Sequence, residues 1–449
     1  MSKLIGRDSV HRTVLPNGMT VILRADHTAP VVAIVTLVKA GYFDETDDII
    51  GIAHVLEHMF FKGTPTRGVG EIAKQTKASG GYLNAHTIYD NTTYFTVLPS
   101  SGFLSGLEIQ ADAYANSVVD GAELAKELEV IIQEAKRKAD TPESVAVETL
   151  YEMIHDSHRI RRWRIGREEG LRTLTRNDLL RFYRNFYKPS NTILSIVGDI
   201  DEGAAMQRVQ ELYGSLEDSP PVRSPGPAEP EHRDFRYREL TGDVAQTQIV
   251  FGWRTTRTLH EDSPALDFTA SILATGRASR LYRALRERQL ASSVNAYNYT
   301  PTELGVFVVH AETKPERARE ALVAIGEQMR ALREDPIPGV EMERVRRIFE
   351  ARWVRRLETM EGQANHFAEW EMLGGWEIAD DYRESFLAVT PADVKRIASQ
   401  YLDTDRAGVI VYRPANAPEL AENAGVVREI LDKMFRAQGL LPGEPPDHG

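Results

Sequence analysis

The strongest constraint on the fold is an internal repeat, because a chain that carries the same segments twice is expected to build two equivalent structures. Residues 174–182 resemble residues 389–397, a separation of 215 positions, and residues 82–87 resemble residues 293–298, a separation of 211. The first pair has threonine before an expected helix and an acidic residue three positions later, which is typical of a helix N-terminus. A run rich in β-branched residues follows each expected helix and predicts a strand. We therefore expect two homologous halves.

Both halves show the pattern of an α+β protein, in which helices pack on one face of a mainly antiparallel sheet. Between them lies a proline-rich stretch that predicts an extended connector. The expected domains are a first domain over residues 1–216, a linker over 217–234, a second homologous domain over 235–415, and a C-terminal helix with a loose tail over 416–449. A length of 449 residues agrees with this division, since single cores rarely grow beyond about 300 residues.

Composition excludes several classes of function. The formal net charge of −12 argues against nucleic-acid binding, which needs a basic surface. We interpret the cationic segment 158–164 as a solvated loop, because no basic domain surrounds it. No apolar run reaches the roughly 18 to 20 residues that span a bilayer, and no secretory signal is recognised. We expect a cytoplasmic protein without a membrane span, or a periplasmic one if a leader was removed.

The segment from His54 to His58 reads HVLEH and places three ionisable side chains inside a largely apolar run. On a helix, residues three and four positions apart share a face, so both imidazoles can reach one point while Glu57 flanks it. Burying these groups without partners would be costly. The pattern HxxEH is the inverzincin signature of zinc enzymes. With no cysteine in the chain, the missing third ligand must be His, Asp or Glu.

The expected helix over residues 121–138 offers several glutamates as the third ligand. Glu127 and Glu134 are seven positions apart and share one helix face. Surface glutamates are common, so spacing alone leaves the choice between them open. The second-half counterpart of the HxxEH segment, near residues 267–273, has no pair of metal-binding side chains. Only the first half is therefore expected to bind zinc.

The HxxEH motif, a glutamate 76 residues after the second histidine, and the repeat with a degenerate second copy together resemble the pitrilysin/insulinase family of zinc peptidases. The similarity is greatest to short-chain members such as the subunits of mitochondrial processing peptidase. It implies that His54, His58 and Glu134 bind zinc, that Glu57 is the general base, and that Glu127 is a supporting carboxylate of the catalytic site. It also implies that the chain forms one half of a clamshell-shaped metalloenzyme.

The resemblance further assigns substrate binding to the segment 80–87. An extended peptide is expected to add there as a further strand, against the edge formed around Asn84 and Ala85. The family pattern also includes an arginine that binds substrate, which Arg286 matches.

One departure from the family concerns the residue that follows this arginine. Members that work alone carry a tyrosine seven residues after it, whereas here the segment is one residue shorter and has serine at that place. Either Tyr297 or Tyr299 substitutes from a neighbouring turn, or a partner chain supplies the arginine and tyrosine. We favour the partner.

The predicted function is that of a zinc-dependent endopeptidase that cleaves peptides or unfolded protein segments. We expect a hetero-oligomer with a paralogous subunit, with a homodimer as the alternative assembly. A competing hypothesis is a non-catalytic peptide-binding or scaffold subunit of the same fold. The intact motif argues against it, because a chain without catalytic function would be expected to lose at least one of these residues. Metal-dependent hydrolysis of a small molecule is a third hypothesis, disfavoured by the strand-adding segment.

Overall fold

The computed structural model describes residues 6–231 and 234–435. Its strands are β1 (His11–Val14), β2 (Thr20–Ala25), β3 (Val31–Val38), β4 (Tyr82–Thr87), β5 (Thr92–Pro99), β6 (Thr192–Gly198), β7 (Arg236–Gly242), β8 (Thr247–Thr255), β9 (Ser293–Tyr299), β10 (Gly305–Thr313) and β11 (Gly408–Pro414). Its α-helices are α1 (Ile52–Phe60), α2 (Glu71–Ala78), α3 (Phe103–Asn116), α4 (Gly121–Ala139), α5 (Pro142–Ile154), α6 (Glu168–Leu171), α7 (Arg176–Phe186), α8 (Glu202–Tyr213), α9 (Ser263–Ala274), α10 (Ala318–Glu334), α11 (Gly339–Arg356), α12 (Met360–Met372), α13 (Ile378–Ala388), α14 (Pro391–Tyr401) and α15 (Ala424–Phe435). A π-helix spans Tyr282–Glu287.

The strands form two sheets with the same topology. The first has the order β1-β2-β6-β3-β5-β4, and the second has the order β7-β11-β8-β10-β9. If β1 is set aside, each sheet contains five strands, β2 to β6 or β7 to β11. When the five are numbered along the chain, their order across either sheet is first, fifth, second, fourth, third. One pair in each sheet is parallel, β2 with β6 and β7 with β11, and the other neighbours are antiparallel. The shared topology confirms the predicted duplication and the mainly antiparallel α+β fold.

Helices cover both faces of the first sheet. Side chains of β3 alternate between two hydrophobic cores, with Val32 and Ile34 in one and Ala33 and Val35 in the other. The first core contains residues of α1, α3, α4, α7 and α8. The second core is closed by α12. The sequence predicts helices on one face only, and α12 adds a layer on the other face, which explains why β3 is buried on both faces.

Contacts divide the chain into two compact units. Within the described residues, the first unit comprises the chain up to residue 140 together with 157–228 and 349–383, and the second comprises 141–156, 229–348 and the chain from 384. Helix α5 therefore belongs to the second unit, and α12 belongs to the first. Each unit therefore contains residues from both sides of the boundary predicted at residue 216.

Two glycines make room for α5 on the second sheet. Gly252 of β8 and Gly408 of β11 face each other in the strand register. A Cβ atom at Gly252 would lie 2.4 Å from Leu150 Cδ2, and one at Gly408 would lie 2.2 Å from Ile154 Cγ2. Carbon atoms pack at about 3.5–4.0 Å, so any larger residue at either position would force these side chains of α5 to move.

The cationic segment 158–164 is not the solvated loop that its composition suggests. His158 and Arg159 are buried, and the Arg159 guanidinium donates to the carbonyl oxygen of Phe43. Arg162 Nη1 donates to the carbonyl oxygen of Glu45 at 2.8 Å. The guanidinium groups satisfy backbone carbonyls of the loop before α1, a structural role that lets arginine be buried.

The C-terminal region contains α15, in the part of the chain for which a last helix is predicted. The predicted loose tail lies outside the described residues. In the part of the chain that the structure describes, no helix combines the length and the apolar character needed to cross a bilayer.

Candidate metal centre

The HxxEH motif lies on α1, whose N-terminus is held by a buried glutamate. Oε2 and Oε1 of Glu45 accept hydrogen bonds from the backbone N–H groups of Gly51 and Ala53 at 3.0 and 3.1 Å. Gly51 has a φ of +92°, in the left-handed region that favours glycine. Burial raises the pKa of Glu45 to about 8, although the two backbone donors oppose this rise. The carboxyl group thus caps two N–H groups that have no partner within the helix.

His54 and His58 project from the same face of α1, four positions apart, with ring centroids 4.8 Å from each other. Helix α4 packs on α1 and brings Glu134 to the two imidazoles. Glu134 Oε2 lies 4.0 Å from His54 Nε2 and 3.9 Å from His58 Nε2. Among the described residues, these three form the one group of side chains with ligand atoms close enough to share a metal ion.

This donor set fits zinc. Tetrahedral zinc with bonds of about 2.0–2.2 Å holds its ligand atoms about 3.4 Å apart, about half an ångström less than the distances from Glu134 Oε2 to the two imidazoles. Burial, followed by the neighbouring His58, lowers the pKa of His54 to about 3, so this imidazole is neutral and can ligate at neutral pH. Three protein ligands leave a fourth position open, the arrangement of catalytic rather than structural zinc sites.

Glu127 connects one of the histidines to a lysine. Glu127 Oε2 lies 3.1 Å from His58 Nδ1, and Glu127 Oε1 accepts a hydrogen bond from Lys62 Nζ at 2.5 Å. Burial alone would raise the pKa of Glu127, but the hydrogen bonds from Lys62 and His58 outweigh it and lower the pKa. An ionised Glu127 accepts the proton on Nδ1, and this tautomer leaves His58 Nε2 free to bind a metal.

Glu57 lies beside the histidines and is hydrogen-bonded to the edge strand. Its Oε2 accepts a hydrogen bond from Thr87 Oγ1 at 2.5 Å. Burial raises the pKa of Glu57, while the Thr87 hydroxyl and the nearby His58 oppose the rise. A carboxylate whose pKa is raised by burial is a better proton acceptor, as a general base requires.

The strand β4 is the outer strand of the first sheet, next to β5. Its residues alternate in exposure, with Asn84 on the more exposed side. The backbone N–H of Ala85 donates to Asn84 Oδ1 at 2.9 Å. The predicted substrate-binding residues Asn84 and Ala85 thus lie on the outermost strand of the sheet, two to three positions before the residue that contacts Glu57.

Arg286 lies in the second compact unit, in the π-helix. Its Nη1 donates to the carbonyl oxygen of Ala291 at 3.1 Å. The candidate substitutes for the absent tyrosine, Tyr297 and Tyr299, both lie in β9 and are half-buried. The roles of these three residues remain predictions.

Three residues near the centre are absent from the sequence prediction. Lys62 is four positions after His58, so helical spacing could have indicated its direction. Thr87 lies within the segment that predicts the edge strand, but its bond to Glu57 depends on how the sheet meets α1. Glu45 carries no local signal, because it lies seven positions before the first residue of α1 and a glutamate outside a helix is usually solvated.

Comparisons with known proteins match two family models to this chain. The family model Insulinase (Peptidase family M16) matches residues 20–164, and the model Peptidase M16 inactive domain matches residues 173–349. A Bacillus subtilis (strain 168) protein named uncharacterized zinc protease YmxG is 27% identical over 413 residues, which cover 91% of this chain and 100% of that protein.

Solved structures share the fold over nearly the whole chain. A protease from Helicobacter pylori superposes with a TM-score of 0.84 at 24% identity, covering 90% of this chain and 99% of that one. A peptidase M16 inactive domain from Pseudomonas fluorescens superposes with a TM-score of 0.83 at 17% identity, covering 91% and 99%. With the two family models matched in tandem and the histidines and glutamate brought together, the chain belongs to the insulinase family of peptidases, family M16.

Proposed function

We propose that this protein is a zinc-dependent endopeptidase that hydrolyses peptides or unfolded protein segments. The observation that carries the proposal is the convergence of His54, His58 and Glu134 on one point, with Glu57 held beside it by Thr87. The name of the Bacillus subtilis relative, a zinc protease, supports the same metal and reaction class.

The chain supplies both the metal ligands and the proton acceptor that this reaction needs. His54, His58 and Glu134 would hold zinc, which when bound lowers the pKa of water and polarises the scissile carbonyl. Glu57 accepts the proton of the attacking water and then donates it to the leaving amine nitrogen. The Thr87 hydroxyl fixes the direction of the Glu57 carboxylate.

The substrate is proposed to bind along β4 as an added antiparallel or parallel strand. Main-chain hydrogen bonds hold an extended peptide regardless of its sequence, which suits unfolded segments. The Ala85 N–H donates to Asn84 Oδ1, so a substrate carbonyl that uses this N–H would have to displace the amide side chain. The adjacent bond from Thr87 to Glu57 links this edge directly to the proposed base.

We also propose that a second, paralogous chain completes the active site. Arg286 is present without a tyrosine at the family position, and Ser293 follows seven residues later. A partner that supplies both groups would restore the electrostatic stabilisation of the tetrahedral intermediate. The non-catalytic scaffold remains the competing function, and the retained ligand set and base argue against it.

Metal analysis tests the proposed function. The purified full chain is expected to contain one equivalent of zinc, because three converging ligands bind a single ion. His54→Ala/His58→Ala should lose this equivalent, whereas His27→Ala/His260→Ala, which removes two histidines that are not part of this ligand group, should keep it. Full zinc occupancy in the first variant at neutral pH would show that the metal is bound elsewhere.

A further inference from the structure

The second compact unit contains a cationic cleft that the proposed peptidase chemistry does not use. The cleft lies between the π-helix, α10 and α15, with a volume of about 630 Å³. Five basic side chains line it: Arg280, Arg283, Arg288, Arg330 and Lys433. Such a cluster stands out in a chain with a formal net charge of −12.

The carboxylates of the cleft are already held by two of the arginines. Arg280 Nε lies 2.9 Å from Glu341 Oε2, and Arg330 Nη1 lies 3.7 Å from Asp335 Oδ1. Glu327, the remaining acidic residue of the lining, also interacts electrostatically with Arg330.

Arg283 and Arg288 are in a different position. Both are exposed, and within the described chain neither guanidinium has a hydrogen-bond or ion-pair partner. Lys433, by contrast, is paired with Glu429 Oε1 at 2.8 Å. The two guanidinium groups therefore carry positive charge at the cleft that no carboxylate among the described residues pairs with.

The backbone that presents Arg288 is unusual. It follows the π-helix and precedes Gln289, which has a φ of +56°. π-helical segments are frequent at functional sites, and residues in the left-handed region persist only where the surroundings enforce them. The N–H of Leu290 returns to the carbonyl oxygen of Leu285 at 2.8 Å, which fixes the turn that carries Arg288.

We infer that this cleft binds a small phosphorylated molecule with at least two phosphate charges. Guanidinium groups pair with phosphate oxygens in a bidentate geometry. The volume lies in the range of small-molecule sites, about 300–1,000 Å³. Ala284, Pro336 and Pro338 add an apolar wall that an organic part of the ligand can contact. An extended acidic peptide fits less well, because Glu327, Asp335 and Glu341 would lie along its path.

Titration calorimetry of the full chain with inorganic triphosphate, in chelator and at about 0.15 M salt, tests the inference. Arg283→Gln/Arg288→Gln should weaken binding by at least about tenfold, since each lost charge-assisted hydrogen bond contributes strongly. The matched control is Arg238→Gln/Arg319→Gln, which removes two exposed arginines of the same unit outside the cleft. It should change the dissociation constant by less than about twofold, because it alters only the overall charge.

Three results would overturn the inference: no binding at about 1 mM triphosphate, equal weakening in both double variants, or tighter binding of a hexaglutamate peptide than of triphosphate. Circular dichroism of both variants confirms that the fold is retained. Every measurement is made without zinc and without a peptide substrate. Absence of triphosphate binding would therefore say nothing against the proposed peptidase, and an inactive peptidase would say nothing against triphosphate binding.

Discussion

At the scale of single residues, the candidate centre depends on side chains that do not bind the metal. Lys62 and Glu127 form an ion pair at 2.5 Å behind His58, and Thr87 holds Glu57. These contacts fix which imidazole nitrogen carries a proton and where the base points. Partners of this kind commonly change metal affinity by about 10- to 100-fold when removed.

Lys62→Met is therefore expected to lower zinc affinity by about tenfold, because Glu127 loses the ammonium that orients it towards His58. Competition with a chromogenic zinc chelator measures the change. Lys126→Met is the matched control, since Lys126 forms a similar ion pair, at 2.6 Å, with Glu123 within α4. Lys62→Arg should recover part of the affinity. Equal zinc affinity in Lys62→Met and Lys126→Met would show that Lys62 has no positioning role.

The sequence predicts the ligands better than their supports. His54 and His58 are brought together by helical geometry that is already present in a five-residue pattern. Glu134 needs the packing of α4 on α1, which only the family resemblance indicated. The hydrogen bond from Thr87 to Glu57 joins a strand to a helix. No pattern of neighbouring residues in the sequence indicates that these two side chains are in contact.

At the scale of elements, the N-terminus of α1 differs from those of α7 and α14, whose caps the sequence predicts. Thr175 with Asp178 and Thr390 with Asp393 form the predicted capping boxes, because cap and partner lie within one turn. Helix α1 instead uses Glu45, which is buried and bonded to two backbone N–H groups. The cap of the metal-binding helix is therefore a titratable group.

Glu45 is expected to make stability depend on pH. Its pKa is raised from the ordinary value of 4.5 to about 8 in the folded protein, so between these values the folded state keeps a proton that the unfolded state releases. Its contribution to the free energy of unfolding therefore falls as pH rises from about 5 to 8, by a few kcal/mol at most.

Thermal unfolding of zinc-free wild type and Glu45→Gln, each at pH 5 and pH 8, measures this contribution. The variant should lose less stability than wild type on going from pH 5 to pH 8, since glutamine does not titrate. A difference in melting temperature between the two proteins that stays constant over this range would contradict the assignment.

At the scale of the whole molecule, the repeat predicts that the two sheets resemble each other but not which sheet each helix covers. A repeat with the same strand types twice predicts two similar sheets. The apolar faces of α5 and α12 show that both helices are buried but not which sheet each covers. For α5 the answer lies in Gly252 and Gly408, whose missing side chains admit Leu150 and Ile154. The significance of these glycines appears only once the register is known.

The absent tyrosine leads to a prediction about assembly. The chain alone should bind zinc yet hydrolyse a peptide slowly, and co-purification with a paralogous chain that carries the arginine and tyrosine should raise the rate about 10²- to 10³-fold. Size-exclusion chromatography with a fluorogenic peptide assay measures both properties. Full activity of the chain alone, lost in Tyr297→Phe or Tyr299→Phe, would instead assign the role to a tyrosine of this chain.

The most direct test of the account compares zinc content and peptide hydrolysis in Glu57→Gln, assayed in whichever assembly is most active. The substitution keeps the size of the side chain and removes its basicity, so zinc should stay at one equivalent while the turnover rate falls by about 10²- to 10⁴-fold. Glu71→Gln, which removes a carboxylate that pairs with Lys74 at the start of α2, should change neither quantity. Unchanged turnover in Glu57→Gln would contradict the proposed base, and loss of zinc together with activity would make Glu57 a ligand instead.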